Sequence, residues 1–315
     1  MKKNSKSTLS NKSYISIDSL STKSTQEIFK RADKMRTMPF AKTSKILKGK
    51  LVTLLFFEPS SRTFSSFSAA IKKLGGMTIE YQNPSQTSSS VKGETMEDTM
   101  RVFENYSDAV IMRHFEKGTL QRAADAVKIP VINAGDGIGE HPTQSLLDAY
   151  TIFRKKKTLS GLTGLIGGDL LNGRTVHSLL KLLSLYKNNT VYLLSPKQLK
   201  LEPTFLNDIR KKGVMLIEIT KQDEIPPICD FWYWTRVQKE RFTDKKEYEL
   251  VKNKFVITPE LIAEKGNKMM LIMHPLPRVG EIDPRVDTDS RAVYLTDQVK
   301  NGLFVRMALL SLILG

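Results

Sequence analysis

The residues of this chain best suited to chemistry sit just past its most apolar run. Leu51-Val52-Thr53-Leu54-Leu55-Phe56-Phe57 ends at Glu58-Pro59, and Ser60-Ser61-Arg62-Thr63 follows at once. Phe64, Phe67, Ala70, Ile71 and Leu74 then recur at helical spacing. A turn that closes a strand and opens a helix directs several backbone N–H groups at one point, and the helix dipole adds partial positive charge there. The hydroxyls add donors, and Arg62 adds a planar fork that matches phosphate geometry. The chemistry such a turn could do is anion binding. Serine and threonine are equally the ordinary N-cap residues of a helix, so the motif alone leaves both readings open.

Further donors follow the same theme. His141-Pro142-Thr143-Gln144 puts a histidine at a helix N-cap with proline in the first turn. The dipole and nearby arginines disfavour a charged imidazole there, so the neutral ring is expected to donate a hydrogen bond rather than act as a general acid. A structural cap is the alternative. Arg113-His114 closes an apolar run, Arg174 follows a glycine-bearing turn, and Arg236 follows the aromatic run Phe231-Trp232-Tyr233-Trp234. Arg174 and Arg236 read either as surface charges or as forks for carboxylates. His274-Pro275-Leu276-Pro277-Arg278 is stiff and extended, and its prolines lack N–H groups, so it can offer carbonyl acceptors to an amine. No Ser–His–Asp order, paired carboxylates or P-loop occurs. Donors and positive charge suit a reaction in which negative charge develops while the substrate brings its own nucleophile.

The elements that must position these residues alternate between strand and helix. Strands are expected at Leu51–Phe57, Met77–Tyr81, Asp108–Met112 and Ile129–Asn133, with helices at Thr25–Met35, Phe64–Leu74, Glu94–Tyr106, Thr119–Val127 and Pro142–Arg154. A short strand-like piece, Tyr14–Ile17, precedes them, and residues 82–93 form a polar loop carrying Lys92. Lys155-Lys156-Lys157 and Leu159-Ser160-Gly161 mark a boundary. A second alternation then runs through strands Leu162–Gly167, Thr190–Ser195, Val214–Ile219, Asp230–Trp234 and Met269–Met273, with helices Thr175–Tyr186 and Pro203–Lys211. A closing amphipathic helix is expected at Arg291–Leu312. The fold class is therefore α/β, with two domains, each an open, mainly parallel sheet covered by helices on both faces. Ligands of such sheets bind beyond the carboxyl ends of the strands, where Arg62, Arg113 and His141 all fall. The domains read as a tail at 1–13, then 14–154, 155–290, and a helix at 291–315 returning to the first domain. Gly167-Gly168-Asp169 follows a strand, but the G-x-G-x-x-G spacing of a dinucleotide site is absent, which excludes NAD.

Bulk properties narrow the class. A chain of 315 residues, 40% hydrophobic, can build two buried cores. A single cysteine, Cys229, rules out a disulfide framework, and the four histidines show no ligand spacing, so a metal is not expected. No apolar run approaches the roughly 18 residues of a membrane span. The net charge of +16 fits anionic substrates; its lysines are dispersed without interleaved aromatics, which argues against nucleic acid. Residues 1–13 hold four lysines and no acid or apolar core, so the expectation is a disordered tail rather than a secretory signal, with an organellar transit remnant as the alternative.

Phe57-Glu58-Pro59-Ser60-Ser61-Arg62-Thr63, His141-Pro142-Thr143-Gln144 and His274-Pro275-Leu276-Pro277-Arg278 resemble three ordered motifs of the carbamoyltransferase family. Asp169 to Ser178 and Thr235 to Arg241 are similar to its aspartate-specific branch rather than the ornithine branch, and the likeness runs from about Tyr14 to Gly315. The resemblance implies carbamoyl phosphate bound by Ser60, Ser61, Arg62, Thr63 and Arg113, with Thr63, Arg113 and His141 on the carbonyl oxygen and Gln144 on the carbamoyl NH2. It implies Ser88 and Lys92 on a loop from a neighbouring subunit, hence a homotrimer with shared sites, and it implies no cofactor; the expected location is the cytoplasm. It implies L-aspartate held by Lys92, Arg174, Arg236 and Gln238, with Leu276 and Pro277 beside it and the Leu276 carbonyl accepting. Glu58 would pair with Arg174 and Arg241 as the domains close. Phe64 stands where many members carry a second arginine and Ser61 where threonine is usual; the first change is expected to remove a structural ion pair. Leu171 and Gly280 replace polar residues that regulated bacterial members use between subunits, so a regulatory chain is not implied.

Overall fold

A computed structural model describes residues 7–84, 93–237 and 255–315. Those residues form two compact units, one of residues 1–146 with 301–315 and one of residues 147–300. The division falls inside the helix Pro142–Lys156 and inside the closing helix Asp297–Ile313, whereas the basic run Lys155–Lys157 lies at the end of the former.

In the first unit, β1 (Leu51–Phe56), β2 (Met77–Gln82), β3 (Ala109–His114) and β4 (Val131–Asp136) make a parallel sheet in the order β2-β1-β3-β4. The apolar run of β1 is buried on both faces beyond its first residue, as a sheet covered by helices on both sides demands. Met77 and Tyr81, on the edge strand β2, are exposed. The chain leaves β1 for β2 on one side, then crosses back to β3 on the other. The carboxyl ends of β1 and β3 thus flank the point where strand order reverses, the usual ligand crevice of an open α/β sheet.

Several local boundaries differ from the sequence reading. Arg113 is not past its strand but within it, paired with Phe56 across the sheet. Strand β4 runs on through Ala134–Asp136, past its expected end at Asn133. The piece at Tyr14 is a single bridge to Ile132, with the Tyr14 N–H on Val131 and the Asn133 N–H on the Tyr14 carbonyl. Helix Thr22–Thr37 starts earlier than expected because Ser21 and Ser24 form a reciprocal cap.

Residues 7–13 do not form a loose tail. Leu9 is buried, Thr8 Oγ1 donates to Glu27, and the Asn11 N–H donates to the Ile313 carbonyl at 3.0 Å. The closing helix is shorter than expected, and between Asn301 and Ile313 it is buried on most sides rather than along one stripe. Arg36 donates to Asn301 at 2.7 Å, and Arg306 donates to Ser66 at 3.0 Å while lying over the Phe67 ring.

In the second unit, β5 (Thr163–Gly167), β6 (Thr190–Leu194), β7 (Met215–Ile219), β8 (Phe231–Trp234) and β9 (Leu271–Met273) form a parallel sheet in the order β7-β6-β5-β8-β9. Its reversal point lies between β5 and β8. Trp232, Trp234, Ile257, Ile272 and Tyr294 pack a core against one face. Asp148, wholly buried, accepts the Tyr233 hydroxyl at 2.9 Å and the Gln298 amide at 2.7 Å, which supplies the partners a buried carboxylate requires. Burial and the neighbouring Asp148 charge push the Tyr233 phenol far above its ordinary range, so it stays a donor. No helix among the described residues is long and apolar enough to cross a membrane.

Candidate active site

The reversal point of the first sheet gathers most of the donors named from the sequence. Helix Ser61–Lys73 begins at N-cap Ser60, whose extended backbone turns the chain off the end of β1. The Ser60 hydroxyl makes no capping bond, unlike Ser21, Thr95 and Thr258, which each accept from the N–H three residues on. The helix therefore presents its first N–H groups without a side-chain cap, which is what an anion at a helix N-terminus needs. Ser61 and Arg62 are exposed while Thr63 is buried.

Arg113, 6% exposed, is held at the end of β3 through its guanidinium. Nη1 donates to the Ala134 carbonyl at 3.2 Å, and Nη2 meets Glu58 Oε1 at 2.9 Å. Its backbone carbonyl accepts the Phe57 N–H at 2.9 Å, which ties Glu58 and the Ser60 turn to β3. Glu58 is expected to pair with Arg174 and Arg241 as the domains close; within its own unit the carboxylate lies on Arg113. His141, also buried, brings Nε2 to 3.4 Å from Thr63 Oγ1, and its carbonyl accepts the Gln144 N–H at 3.0 Å as the helix begins. Thr63, Arg113, His141 and Gln144 are thus buried polar groups of one compact unit. Phe64, where many carbamoyltransferases carry an arginine, packs edge-on against Phe56 at 5.2 Å between ring centroids. Beside this cluster, burial lowers the His114 pKa below the ordinary imidazole range. Its Nδ1 accepts the Glu116 N–H at 3.0 Å, so the ring braces a turn.

The reversal point of the second sheet carries the other two arginines. Arg174 opens helix Arg174–Leu183 after Gly173, and Arg236 follows β8; both are partly exposed. The loops that carry them are stitched together by Thr235. Its hydroxyl receives the Asp169 N–H at 3.1 Å, and its N–H donates to Gly167 at 2.8 Å. Asp169, fully buried, accepts from the Asn172 N–H at 2.9 Å and shapes the turn into the helix. Gly168 holds φ +112°, and a Cβ there would sit 2.1 Å from the Thr235 carbonyl oxygen, so this loop admits only glycine.

The segment after β9 holds the carbonyls expected to accept an amine. Leu276 adopts φ +58°, an unusual conformation for a bulky residue, and its N–H donates to His274 Nδ1 at 2.8 Å. Arg278 forks onto Asp287, with Tyr294 on both, so this arginine braces the segment. The pairing of the His274 ring with Glu281 depends on a turn at Val279-Gly280 that residue types alone do not announce. Ser88, Lys92, Gln238 and Arg241 lie outside the described residues. Among the described residues no group of three His, Cys, Asp or Glu is placed to hold a metal ion.

Comparison with known proteins places this arrangement. Residues 12–154 match the carbamoyl-P binding domain of aspartate/ornithine carbamoyltransferases, and residues 160–313 match their Asp/Orn binding domain. The chain is 46% identical over 282 residues to the aspartate carbamoyltransferase catalytic subunit of Methanocella arvoryzae, covering 89% of this chain and 90% of that one. It is 45% identical over 312 residues to the multifunctional protein pyr1-3 of Dictyostelium discoideum, of which it spans only 14%. Among solved structures, the Trypanosoma cruzi aspartate transcarbamoylase in complex with carbamoyl phosphate superposes with a TM-score of 0.91 at 38% identity, covering 98% of each chain. The catalytic subunit of the M. Jannaschii enzyme gives 0.87 at 42% identity, covering 95% of this chain and 97% of that one.

Proposed function

This chain belongs to the aspartate/ornithine carbamoyltransferase family, and from that premise we propose that it moves the carbamoyl group of carbamoyl phosphate onto the amine of L-aspartate. The observation that carries the reading is the uncapped helix start at Ser60–Thr63, set in one compact unit with buried Arg113, His141 and Gln144. A phosphate dianion fits the helix N-terminus, the hydroxyls and the Arg62 and Arg113 forks. Thr63, Arg113 and His141 then surround the carbonyl oxygen, and the Gln144 side chain takes the carbamoyl NH2. Arg174 and Arg236 take the two carboxylates of aspartate, with Gln238 and Lys92 completing that site. The Leu276 carbonyl accepts from the aspartate amine, and Pro277 lines the same segment.

The chemistry follows from these assignments. The unprotonated amine nitrogen attacks the carbamoyl carbon, and the carbonyl electron pair moves onto oxygen. Donors preorganised around that oxygen stabilise the charge that develops there. When the tetrahedral centre collapses, the carbon–oxygen bond to phosphate breaks. Phosphate leaves with the electron pair, the amine proton goes to it or to water, and N-carbamoyl-L-aspartate remains. No step requires redox chemistry. Ornithine does not suit this site, because its side chain is cationic and would face Arg174 and Arg236.

The functional unit in this reading is a cytoplasmic homotrimer, in which Ser88 and Lys92 of one subunit complete the site of the next. The test is phosphate release from carbamoyl phosphate with aspartate or ornithine as acceptor, together with the mass in solution. Release with aspartate and a trimer mass supports the reading; release only with ornithine, or with neither amine, overturns it. Mixing Lys92→Ala and Arg62→Ala subunits tests site sharing, since a shared site regains activity in hybrids and a private one does not.

A further inference from the structure

The segment after β9 is held by a buried histidine whose chemistry the transfer reaction leaves unused. His274 is 2% exposed. Its Nδ1 accepts the Leu276 N–H at 2.8 Å, and its Nε2 lies 2.7 Å from Glu281 Oε1, off the line of an ideal hydrogen bond. Both side chains are nearly sealed, at 1% and 5% exposure. The other carboxylate oxygen of Glu281 accepts the Val279 N–H at 2.9 Å. The His274 N–H donates to Gln298, which in turn donates to buried Asp148.

These contacts settle the state of the ring. A backbone N–H only donates, so Nδ1 must be bare and the ring proton must sit on Nε2, facing the carboxylate. Burial, aided by the positive charges of Arg278 and Arg236, holds the His274 pKa below the ordinary imidazole range against the pull of Glu281. Burial works to raise the Glu281 pKa, but its contacts with His274 and the Val279 N–H leave it lowered, so the pair is a neutral ring beside a carboxylate. A ring protonated on both nitrogens, or the opposite tautomer, would lose the bond that holds the Leu276 N–H. That bond is the side-chain restraint on a bulky residue at positive φ, where the peptide has other, easier conformations.

We propose that His274 is a positioning residue: its Nδ1 sets the orientation of the Leu276 peptide, Glu281 selects the tautomer that can do so, and the pair thereby sets affinity for the amino-acid acceptor. The inference rests on the reading of the Leu276 carbonyl as an acceptor for the aspartate amine. It predicts a split between the two substrates that general destabilisation would not produce.

The experiment compares His274→Asn, His274→Gln and Glu281→Gln with wild type, measuring KM for aspartate, KM for carbamoyl phosphate and kcat, with imidazole 15N shifts recorded for wild type and Glu281→Gln. An asparagine oxygen can stand where Nδ1 stands, so His274→Asn keeps KM for aspartate within about threefold, whereas His274→Gln, which reaches only toward Glu281, raises it by about tenfold, the scale of one lost hydrogen bond. KM for carbamoyl phosphate stays constant in both. Equal aspartate KM values in the two variants, or parallel changes for both substrates, overturn the proposal. Should neither variant fold, Glu281→Gln decides. It is expected to mix the two ring tautomers in the 15N spectrum and to raise KM for aspartate severalfold; an unchanged tautomer overturns the assignment. A wild-type spectrum with protonated Nδ1 at neutral pH overturns it as well. Absence of any transfer to aspartate by wild type would instead defeat the proposed function, and the spectrum would still decide the tautomer.

Discussion

The two sheets solve the same geometric problem with different chemistry. Each is parallel, each reverses its strand order once, and each carries arginines at that reversal: Arg62 and Arg113 after β1 and in β3, Arg174 and Arg236 after β5 and β8. At the first reversal the arginines are joined by hydroxyls and by a helix N-terminus that no side chain caps. At the second, the loop is closed on itself by Asp169 and Thr235, leaving guanidinium forks and, beyond β9, backbone carbonyls. A fan of N–H and O–H donors suits a compact tetrahedral dianion, whereas separated forks suit two carboxylates on a small chain. Strand order therefore fixes where a ligand sits, and the residues grafted there fix which ligand it is.

The comparison breaks most readily at His141. If the first reversal is where charge develops, His141→Ala lowers kcat by roughly 10²–10³, the cost of one oxyanion donor, with little change in KM for aspartate. A rate within a fewfold of wild type in steady-state assays would remove His141 from the reaction. The mirror experiment is Arg236→Ala. Loss of charge-assisted bonds worth about 1.5–3 kcal/mol raises KM for aspartate by one to two orders of magnitude while KM for carbamoyl phosphate holds. Damage to both substrates alike would erase the division of labour between the sheets.

How much of this was legible in the sequence depends on range. Strand β1 was plain because Leu51–Phe56 is apolar but for Thr53, and helix Pro203–Lys211 because proline marks its start. The donors at Ser60–Thr63 were legible from residue type and from their place after a strand. The choice between N-cap and anion site was not, because it turns on whether the Ser60 hydroxyl bonds the N–H three residues on. Arg113 was placed beyond its strand because charge commonly ends an apolar run; its pairing opposite Phe56 is a long-range fact. Leu9 was hidden among lysines and serines, and its burial depends on packing that no nearby residue encodes. The ring of His274 was overlooked for the same reason: Glu281 reaches it only after the chain turns.

A smaller effect sharpens the second half of the comparison. The sheet face behind β8 rests on Asp148, whose carboxylate oxygens are divided between Tyr233 and Gln298. Tyr233→Phe removes the hydroxyl that donates to this buried carboxylate, a charge-assisted bond worth about 1.5–3 kcal/mol of unfolding free energy. Denaturant titration checks it. The proposed carbamoyl phosphate site lies in the other unit and is expected to keep its affinity, so a change there would mean that the two reversals are not independently built.

The smallest predicted effect concerns Glu58, which sits on Arg113 at 2.9 Å with its carboxylate about one-third exposed, at 31%. In the proposed site an incoming phosphate would share or take over that guanidinium, so the ion pair would compete with the ligand. Because the pair is partly solvated, its worth is limited to about 0.2–1 kcal/mol. Glu58→Gln keeps the shape and removes the charge, and carbamoyl phosphate should bind roughly two- to fivefold more tightly by calorimetry. If Glu58 also serves a later step of turnover, kcat falls in the same variant although binding improves, and the two readouts separate the roles. Weaker carbamoyl phosphate binding would mean that Glu58 holds Arg113 in its working pose rather than masking it. The first reversal would then need its carboxylate as much as its donors, and the contrast with the second sheet would narrow to the hydroxyls and the helix start.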